Sequence, residues 1–289
     1  MINNNEHHIM DLAGVVVLYN PFSEIDENVK SFLDQLNYLF VIDNSEVSEK
    51  SFASLFSNLP KVRFLINNQN IGIAKAINLA IKKALDGGYK YLLTMDQDSK
   101  FEDSALKKLI SKIGDETVGI YSPFHKNKYF TNPPFDQEIE EVSDVMTSGN
   151  ILNLEAVKKV GLFREDYFID YVDIEYCLRL RKNGYKILRV NNSFLVHNEA
   201  NLSKKSFFGK NVFPPNHKPF RWYYKIRNYL YLKEEYKIDF PEYFLKESKN
   251  IRNNIIKVIL FEQNKILKLK MMIKGFLDFR KRITGKYPD

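Results

Sequence analysis

The stretch Tyr89–Ser99, YKYLLTMDQDS, decides the fold. Its first seven residues read as a strand: an apolar and aromatic run, preceded by the stop signal Gly87-Gly88 and cut off by two acids. In open α/β sheets, ligands bind beyond the carboxyl ends of the strands. Asp96 and Asp98 stand at that place. Two carboxylates so spaced can share a hydrated Mg²⁺ or Mn²⁺, hard ions that take oxygen ligands and bridge to substrate phosphates. The same acids also suit a turn that caps the helix expected from Ser104 to Ile113.

Upstream, the pattern alternates. Leu12–Leu18 (LAGVVVL) is a β-branched run stopped by Tyr19-Asn20-Pro21, and Ile25–Leu39 has helical spacing. Tyr38–Ile42 and Lys61–Ile66 read as strands, and Ile71–Leu85 as a helix. This βαβα order predicts an α/β fold with a mostly parallel, doubly wound sheet. Tyr19-Asn20, Asp43-Asn44 and Asp96/Asp98 then collect at one sheet edge. Downstream, 124–141 reads as a long loop, 154–160 and 173–182 as helices, and 185–190 and 193–197 as strands. From about Phe220 onward mostly helices are expected. The expected division is therefore a catalytic unit over 1–219 and a basic, aromatic-rich helical region over 220–289.

The 289 residues carry a net charge of +7, unevenly placed. Residues 201–289 hold 21 Lys and Arg against 8 Asp and Glu, a net of +13, while residues 1–200 hold 22 against 28, a net of −6. A basic tail points to an anionic partner or to a solvated cationic surface. Cys177 is the single cysteine, which excludes an internal disulfide framework and a cysteine-based zinc site. The longest apolar run near the N-terminus is far too short to span a bilayer. The segment MINNNEHHIMD is polar and lacks the basic start of a secretory signal. These features lead us to expect a cytoplasmic protein.

Further residues carry chemistry. Asp43 can accept a hydrogen bond from a nucleobase imide, or form a plain Asx turn. Gly72, near a helix start, lets a ligand approach the backbone, or is simply a tolerated junction glycine. The surrounding NNQNIGIAKAIN is neither a dinucleotide fingerprint nor a Walker loop. Thr147–Asn150 forms a turn. Asp170, Asp173 and Glu175 precede or open a helix, where acids favour the dipole and where one carboxylate in a cleft can serve as general base. His197 follows an apolar strand and, if not structural, has the Asp-x-Asp acids as metal-site partners. Cys177 lies on an apolar-patterned helix and is read as packed. The stripe Ile255, Ile259, Ile266, Leu269, Ile273, Phe276 and Leu277, interleaved with lysines, suits either an interfacial helix on an anionic bilayer or packing against the catalytic unit or a second subunit.

Taken in order, YNP, VIDNS, NxGIAxAxN, DQDS, TSGN, VDIEYCLRL and the later histidine resemble family 2 glycosyltransferases, over roughly residues 10–200. FIDYVDIEYCLRLRKNGYKI and RWYYKIRNYLYL are most similar to the bacterial rhamnosyltransferases of surface polysaccharide synthesis. The resemblance implies a GT-A fold and an inverting, metal-dependent transfer from a nucleotide-sugar donor, dTDP-L-rhamnose. The implied acceptor is a saccharide or a polyprenyl-diphosphate-linked saccharide, met at the inner face of the plasma membrane. It places Tyr19, Asn20 and Asp43 at the base and ribose, Gly72 and Ala74 beside the nucleotide, Asp96 at the ribose, and Asp98 with His197 on the metal. Ser148, Gly149 and Asn150 fall on the acceptor side. Asp173 matches the base with Glu175 as its neighbour, and Asp170 competes for that role because Val172 stands where the family has an acid. Arg221, Lys225 and Arg227 are left to meet an acceptor pyrophosphate. A sugar-phosphate nucleotidyltransferase would want a glycine-rich, arginine-containing loop after the first strand, which YNPFSEID is not. A nucleic-acid-binding protein would use the basic tail but would bring acids to three strand ends, so no nucleic-acid partner is expected.

Overall fold

Seven consecutive buried residues make Leu12–Leu18 the central strand, β1. It turns Ala13, Val15 and Val17 to one core and Leu12, Val16 and Leu18 to the other, the two-residue period of a strand covered on both faces. The chain then runs α1 (Ile25–Leu33), β2 (Tyr38–Asp43), α2 (Lys50–Phe56), β3 (Val62–Ile66), α3 (Ile73–Asp86), β4 (Tyr91–Asp96), β5 (Ser99–Phe101), α4 (Ala105–Ile110), β6 (Val118–Lys126) and β7 (Ile139–Glu141). There follow β8 (Asn150–Asn153), α5 (Leu154–Val160), a 3-10 turn at Glu165–Tyr167, α6 (Val172–Lys182) and β9 (Lys186–His197). The small hairpin β10 (Lys205–Phe207) and β11 (Lys210–Val212) precedes three helices, α7 (Pro219–Tyr236), α8 (Pro241–Phe261) and α9 (Lys265–Arg280).

This computed structural model describes residues 11–21, 24–47, 50–56, 58–127, 129, 131, 137–197, 204–207 and 209–288. The polar N-terminal segment 1–10, part of the 124–141 loop and the side chain of His197 lie outside the described residues.

Among the described residues the main sheet has nine strands, ordered β3-β2-β1-β4-β8-β6-β9-β5, with β7 also paired to β9. β3, β2, β1 and β4 are parallel. β8 runs antiparallel to β4 and β6, and β6 and β9 are again parallel. The chain reverses its direction of travel between β1 and β4, which opens the crevice where such sheets bind nucleotides. Helix α3 lays a stripe of Ala74, Ala76, Ile77, Ala80, Ile81 and Ala84 against one face. On the other face pack Val29 and Phe32 of α1 and Leu106 and Leu109 of α4. Each fully buried aliphatic or aromatic side chain contributes roughly 1.5–3 kcal/mol.

Three boundaries differ from the sequence pattern. The helix expected over 25–39 stops at Leu33, because Leu36 tucks under Gly14, where an added Cβ would lie 2.5 Å from its side chain. The stretches 185–190 and 193–197 are one strand, β9, with a register irregularity opposite Pro123/Phe124. The loop over 124–141 begins as the end of β6 and finishes as β7. In the helical tail, Tyr229, Tyr231, Leu232, Tyr236 and Phe244 join the same core as Ala13 and Val15. The 219/220 boundary thus marks the start of α7 and not a break in packing.

Candidate active site

Register brings the strand ends together. Leu18 pairs with Asp43 and Val17 with Asp96, so the residues after β1, β2 and β4 form one rim. Gln97 staples it: its Oε1 accepts the Tyr19 N–H at 2.8 Å and its Nε2 donates to the Tyr19 carbonyl at 3.1 Å. Asn20 takes a left-handed turn, φ 44°, and donates its N–H to Ser45 Oγ at 2.8 Å. Tyr19 is exposed at this mouth. Asp43 is fully buried and accepts the Ser45 N–H at 3.0 Å, the Asx turn allowed by its spacing. Asn44 accepts from Asn67 Nδ2 and from the Ile71 N–H, and donates to Asn70 Oδ1, each at 3.2 Å. Asn67 and Asn70 of this ladder and Gln97 were not singled out by sequence reading, although the repeated Asn of NNQN carried the signal.

The turn Thr147–Asn150 braces the end of β4. Thr94 Oγ1 donates to the Thr147 carbonyl at 2.6 Å, the Gly149 N–H to the Thr94 carbonyl at 2.7 Å, and the Asp96 N–H to Ser148 Oγ at 3.0 Å. Gly149 is left-handed, φ 80°, and a Cβ there would meet Pro123 at 2.7 Å, so the position requires glycine. Ser148 and Asn150 are buried. The Ser148 side chain holds the Asp96 end in place, while the Asn150 Nδ2 donates to the Met146 carbonyl at 2.7 Å.

Opposite the rim stands the loop before α6. Phe168, Asp170 and Tyr171 all have positive φ, at 64°, 61° and 63°. Such non-glycine conformations cost roughly 1–3 kcal/mol each and need surroundings that enforce them. The enforcement comes from α7. Asn228, fully buried, directs its Nδ2 to the carbonyls of Tyr167, Ile169 and Asp170, each at 2.9 Å. Tyr224 stacks on Phe168 with ring centroids 5.4 Å apart. From the other side, the Ile73 N–H donates to the Phe168 carbonyl, and a Cβ on Gly72 would lie 2.8 Å from the Phe168 ring. Gly72 is thus needed for Phe168. Ala74, expected beside the nucleotide, is fully buried in the core.

The three acids of this loop and helix have separate environments. Asp170 makes a two-pronged ion pair with Arg221, both contacts at 2.6 Å, and meets Lys225 at 3.2 Å. Burial pushes its pKa up, but the two cations outweigh burial and hold it below the usual carboxylate range. Asp173, half-buried at the start of α6, makes no ion pair among the described residues, although the Arg221 charge reaches it. Burial first, then the charges of Asp144 and Asp170, push its pKa up to about 6 against the opposing Ile174 N–H. Asp173 also shares a small cavity with Thr94, Thr147 and Asn150, behind the end of β4. Glu175 sits about 200° around the helix from Asp173. It is fully buried, paired with Arg179 at 2.9 Å, and accepts the Tyr236 hydroxyl at 2.8 Å. Glu175 therefore anchors α6, on a different side of the helix from Asp173. Replacing Glu175 by Ala leaves a buried guanidinium unpaired and should destabilise the fold by roughly 3–5 kcal/mol in urea unfolding. Donor affinity of the folded fraction should be unchanged; a stable variant that loses donor binding would return Glu175 to the site.

Arg227, left to meet a pyrophosphate, is fully buried and donates to the Gly285 carbonyl at 2.8 Å and the Tyr167 carbonyl at 3.3 Å, so it is structural. Arg221 and Lys225 remain partly exposed. Burial pushes the Cys177 thiol well above its usual pKa, so it stays a packed thiol. Ser99, next to Asp98, pairs with His197 across β5 and β9, so the backbone carries His197 to the Asp98 end of the rim. Among the described residues no three His, Cys, Asp or Glu converge into a ready-made cage. A carboxylate at a crevice mouth suits an ion that takes its other ligands from substrate phosphates and water.

A mixed, mostly parallel sheet with a crevice at its switch point and acids on the crevice rim is the architecture of the GT-A glycosyltransferases. Solved structures share this architecture. The crystal structure of GalNAc-T7 with UDP, GalNAc and Mn²⁺ matches with a TM-score of 0.62 at 15% identity, over 96% of this chain and 57% of that one. The crystal structure of S. aureus TarS 1-349 in complex with UDP-GlcNAc matches with a TM-score of 0.60 at 16% identity, over 95% and 82%. The chain belongs to glycosyl transferase family 2, whose sequence profile matches residues 15–168, more than half of it. It is 27% identical to the dTDP-rhamnosyl transferase RfbF of Shigella flexneri, over 95% of this chain and 97% of that protein. A shorter similarity, 25% over 123 residues, links it to the bifunctional glycosyltransferase pgtA of Dictyostelium discoideum, of which it covers 16%.

Proposed function

We propose that this glycosyltransferase transfers L-rhamnose from dTDP-L-rhamnose, with inversion, to a hydroxyl of a polysaccharide or polyprenyl-diphosphate-linked saccharide. Near full-length similarity to a dTDP-rhamnosyl transferase supports the donor. One observation carries the mechanism. Asp173 lines one small cavity with Thr94, Thr147 and Asn150, in the turn that braces the Asp96 end of β4, so the start of α6 meets the acid rim.

In this reading Tyr19, Asn20 and Asp43 line the nucleoside end of the crevice, and Asp96 approaches the ribose. Asp98, with His197, would hold Mg²⁺ or Mn²⁺. When bound, such an ion neutralises charge on the leaving diphosphate. Asp173 takes the acceptor hydroxyl proton, with a carboxylate pKa close to the working pH as a general base requires. Attack from the face opposite the leaving group inverts the anomeric centre without a covalent intermediate. Among the described residues, no helix is long and apolar enough to cross a membrane. We place the reaction at the cytoplasmic side.

A thermal-shift titration tests this. With Mn²⁺ present, dTDP-L-rhamnose should stabilise the fold by about 2.7 kcal/mol at a hundredfold excess over Kd. EDTA, or Asp98→Ala, should remove most of that shift while leaving the unliganded Tm in place. Stabilisation by UDP-GlcNAc instead would overturn the donor; an undiminished shift in EDTA would remove the metal from the reading.

A further inference from the structure

Helix α9 is packed inside out. The face it turns to α7 carries Lys268, Met272, Gly275 and Asp278. Gly275 is required there, because a Cβ would lie 2.4 Å from the Tyr223 carbonyl oxygen. The charges on this inner face are neutralised within the protein: Lys268 by buried Glu262 at 2.6 Å, and Asp278 by Lys274 at 2.6 Å and the Tyr223 hydroxyl at 2.9 Å. The large apolar residues point the other way. Ile266 is 71% exposed and Ile273 60%, and Leu277, on the same stripe at helical spacing, is also exposed. On α8 the stripe Leu245, Ile256 and Ile259 is exposed in the same manner.

Past the first turns of α8, where Glu242 is exposed, charge on this outer surface has one sign. Between residues 248 and 280 the acids are Glu262 and Asp278, and both are buried and paired. The exposed charges are Lys249, Arg252, Lys265, Lys270 and Arg280. Lys249 and Arg252 lie on the α8 stripe, and Lys270 and Arg280 on the α9 stripe. Two aliphatic stripes with interleaved cations fit one class of partner well. A second copy of the same surface would oppose cation to cation. A polyanion without an apolar phase would leave the isoleucines wet. An anionic lipid surface takes both, the aliphatics below the headgroups and the Lys and Arg among them.

We propose that the outer face of the α8–α9 hairpin docks this enzyme on an anionic bilayer surface. The docking is independent of which sugar is transferred, so its failure and a failure of the donor reading are told apart. The test is cosedimentation of the full chain with vesicles of phosphatidylglycerol and phosphatidylethanolamine, against phosphatidylcholine alone, at low and high salt. Binding should be tenfold or more stronger to the anionic vesicles and should fall with salt. The double variants Ile273→Ser/Leu277→Ser and Arg252→Glu/Lys270→Glu should each weaken it by roughly tenfold or more, with Tm unchanged because all four side chains are exposed. Absence of binding at low salt, or binding that ignores both variants, overturns the proposal. A dimer at micromolar concentration that dissociates in Ile273→Ser/Leu277→Ser also overturns it, since the face would then belong to a second copy.

Discussion

Asp173→Asn is expected to lower kcat by ~10²–10⁴-fold with donor affinity nearly unchanged, the typical effect of removing a general base. The substitution keeps size and hydrogen bonding at the start of α6 but cannot take a proton. In the wild type the base must be ionised, so kcat/KM should fall about tenfold per pH unit below about 6, where Asp173 becomes protonated. Asp170→Asn is the informative companion. It removes a negative neighbour of Asp173 and releases Arg221 and Lys225, so the acid limb should persist and move to lower pH. If Asp170→Asn abolishes the limb and Asp173→Asn leaves it, the two roles are exchanged.

Stability supplies an independent check on the same residue. The folded state raises the pKa of Asp173 from 3.8 to about 6 and so holds its proton more tightly than the unfolded chain does. That contribution is full below about 3.8 and is lost as pH rises through about 6. Asp173→Asn does not titrate. It should therefore gain on the wild type across this window and unfold at a higher temperature at pH 7, although it is nearly inactive. An Asn variant less stable than wild type at pH 7 would mean that the carboxylate is held by an unrecognised cation.

The second large effect is expected at Asn228, far from the reacting atoms. Asn228→Leu keeps the volume but leaves the carbonyls of Tyr167, Ile169 and Asp170 without their shared donor. A buried acceptor left dry costs roughly 1–3 kcal/mol, so the fold should lose several kcal/mol. In the folded fraction residues 168–171, three of them left-handed, lose the Asn228 constraint. A displacement of Asp173 by about 1 Å is enough to lower kcat by ~10²-fold. The rim on β1, β2 and β4 is untouched, so donor-induced stabilisation should survive. Full turnover in a stable Asn228→Leu enzyme would show that the loop keeps its shape without the clamp.

Local patterns made the sheet and the acid rim legible. Uninterrupted apolar runs cut by YNP, DNS and DQDS place β1, β2 and β4 and their ends, because strand termination is written in adjacent residues. The site's second wall was not legible in that way. Asp170 and Asp173 are three residues apart, with similar sequence neighbours, and differ only because Arg221 and Lys225 arrive from α7 some 50 positions later. Gly72 announced a backbone exception, but its cause, the Phe168 ring, lies nearly a hundred residues away. Arg227 looked like a phosphate ligand because burial of a charge leaves no mark in sequence. The outward stripe of α9 was visible as periodicity, whereas its facing water and not α7 became clear only from Gly275 and Tyr223.

The clamp on residues 166–170 has a consequence for the protein's birth. The four parallel strands β1 to β4 are all made early and can pair as they emerge, so the donor crevice can form on a growing chain. Asp173 is also translated early, and Gly72 and Ile73 already meet Phe168, yet the force that holds Ile169 and Asp170 is still missing. That force arrives with Asn228, and the helix bearing it is itself tied down last: Arg227 bonds the Gly285 carbonyl, the Gly285 N–H returns to the Asp166 carbonyl, and the Tyr287 N–H to the Tyr224 hydroxyl. The wall that carries Asp173 is thus expected to settle after the crevice, once residues 285–287 have left the ribosome.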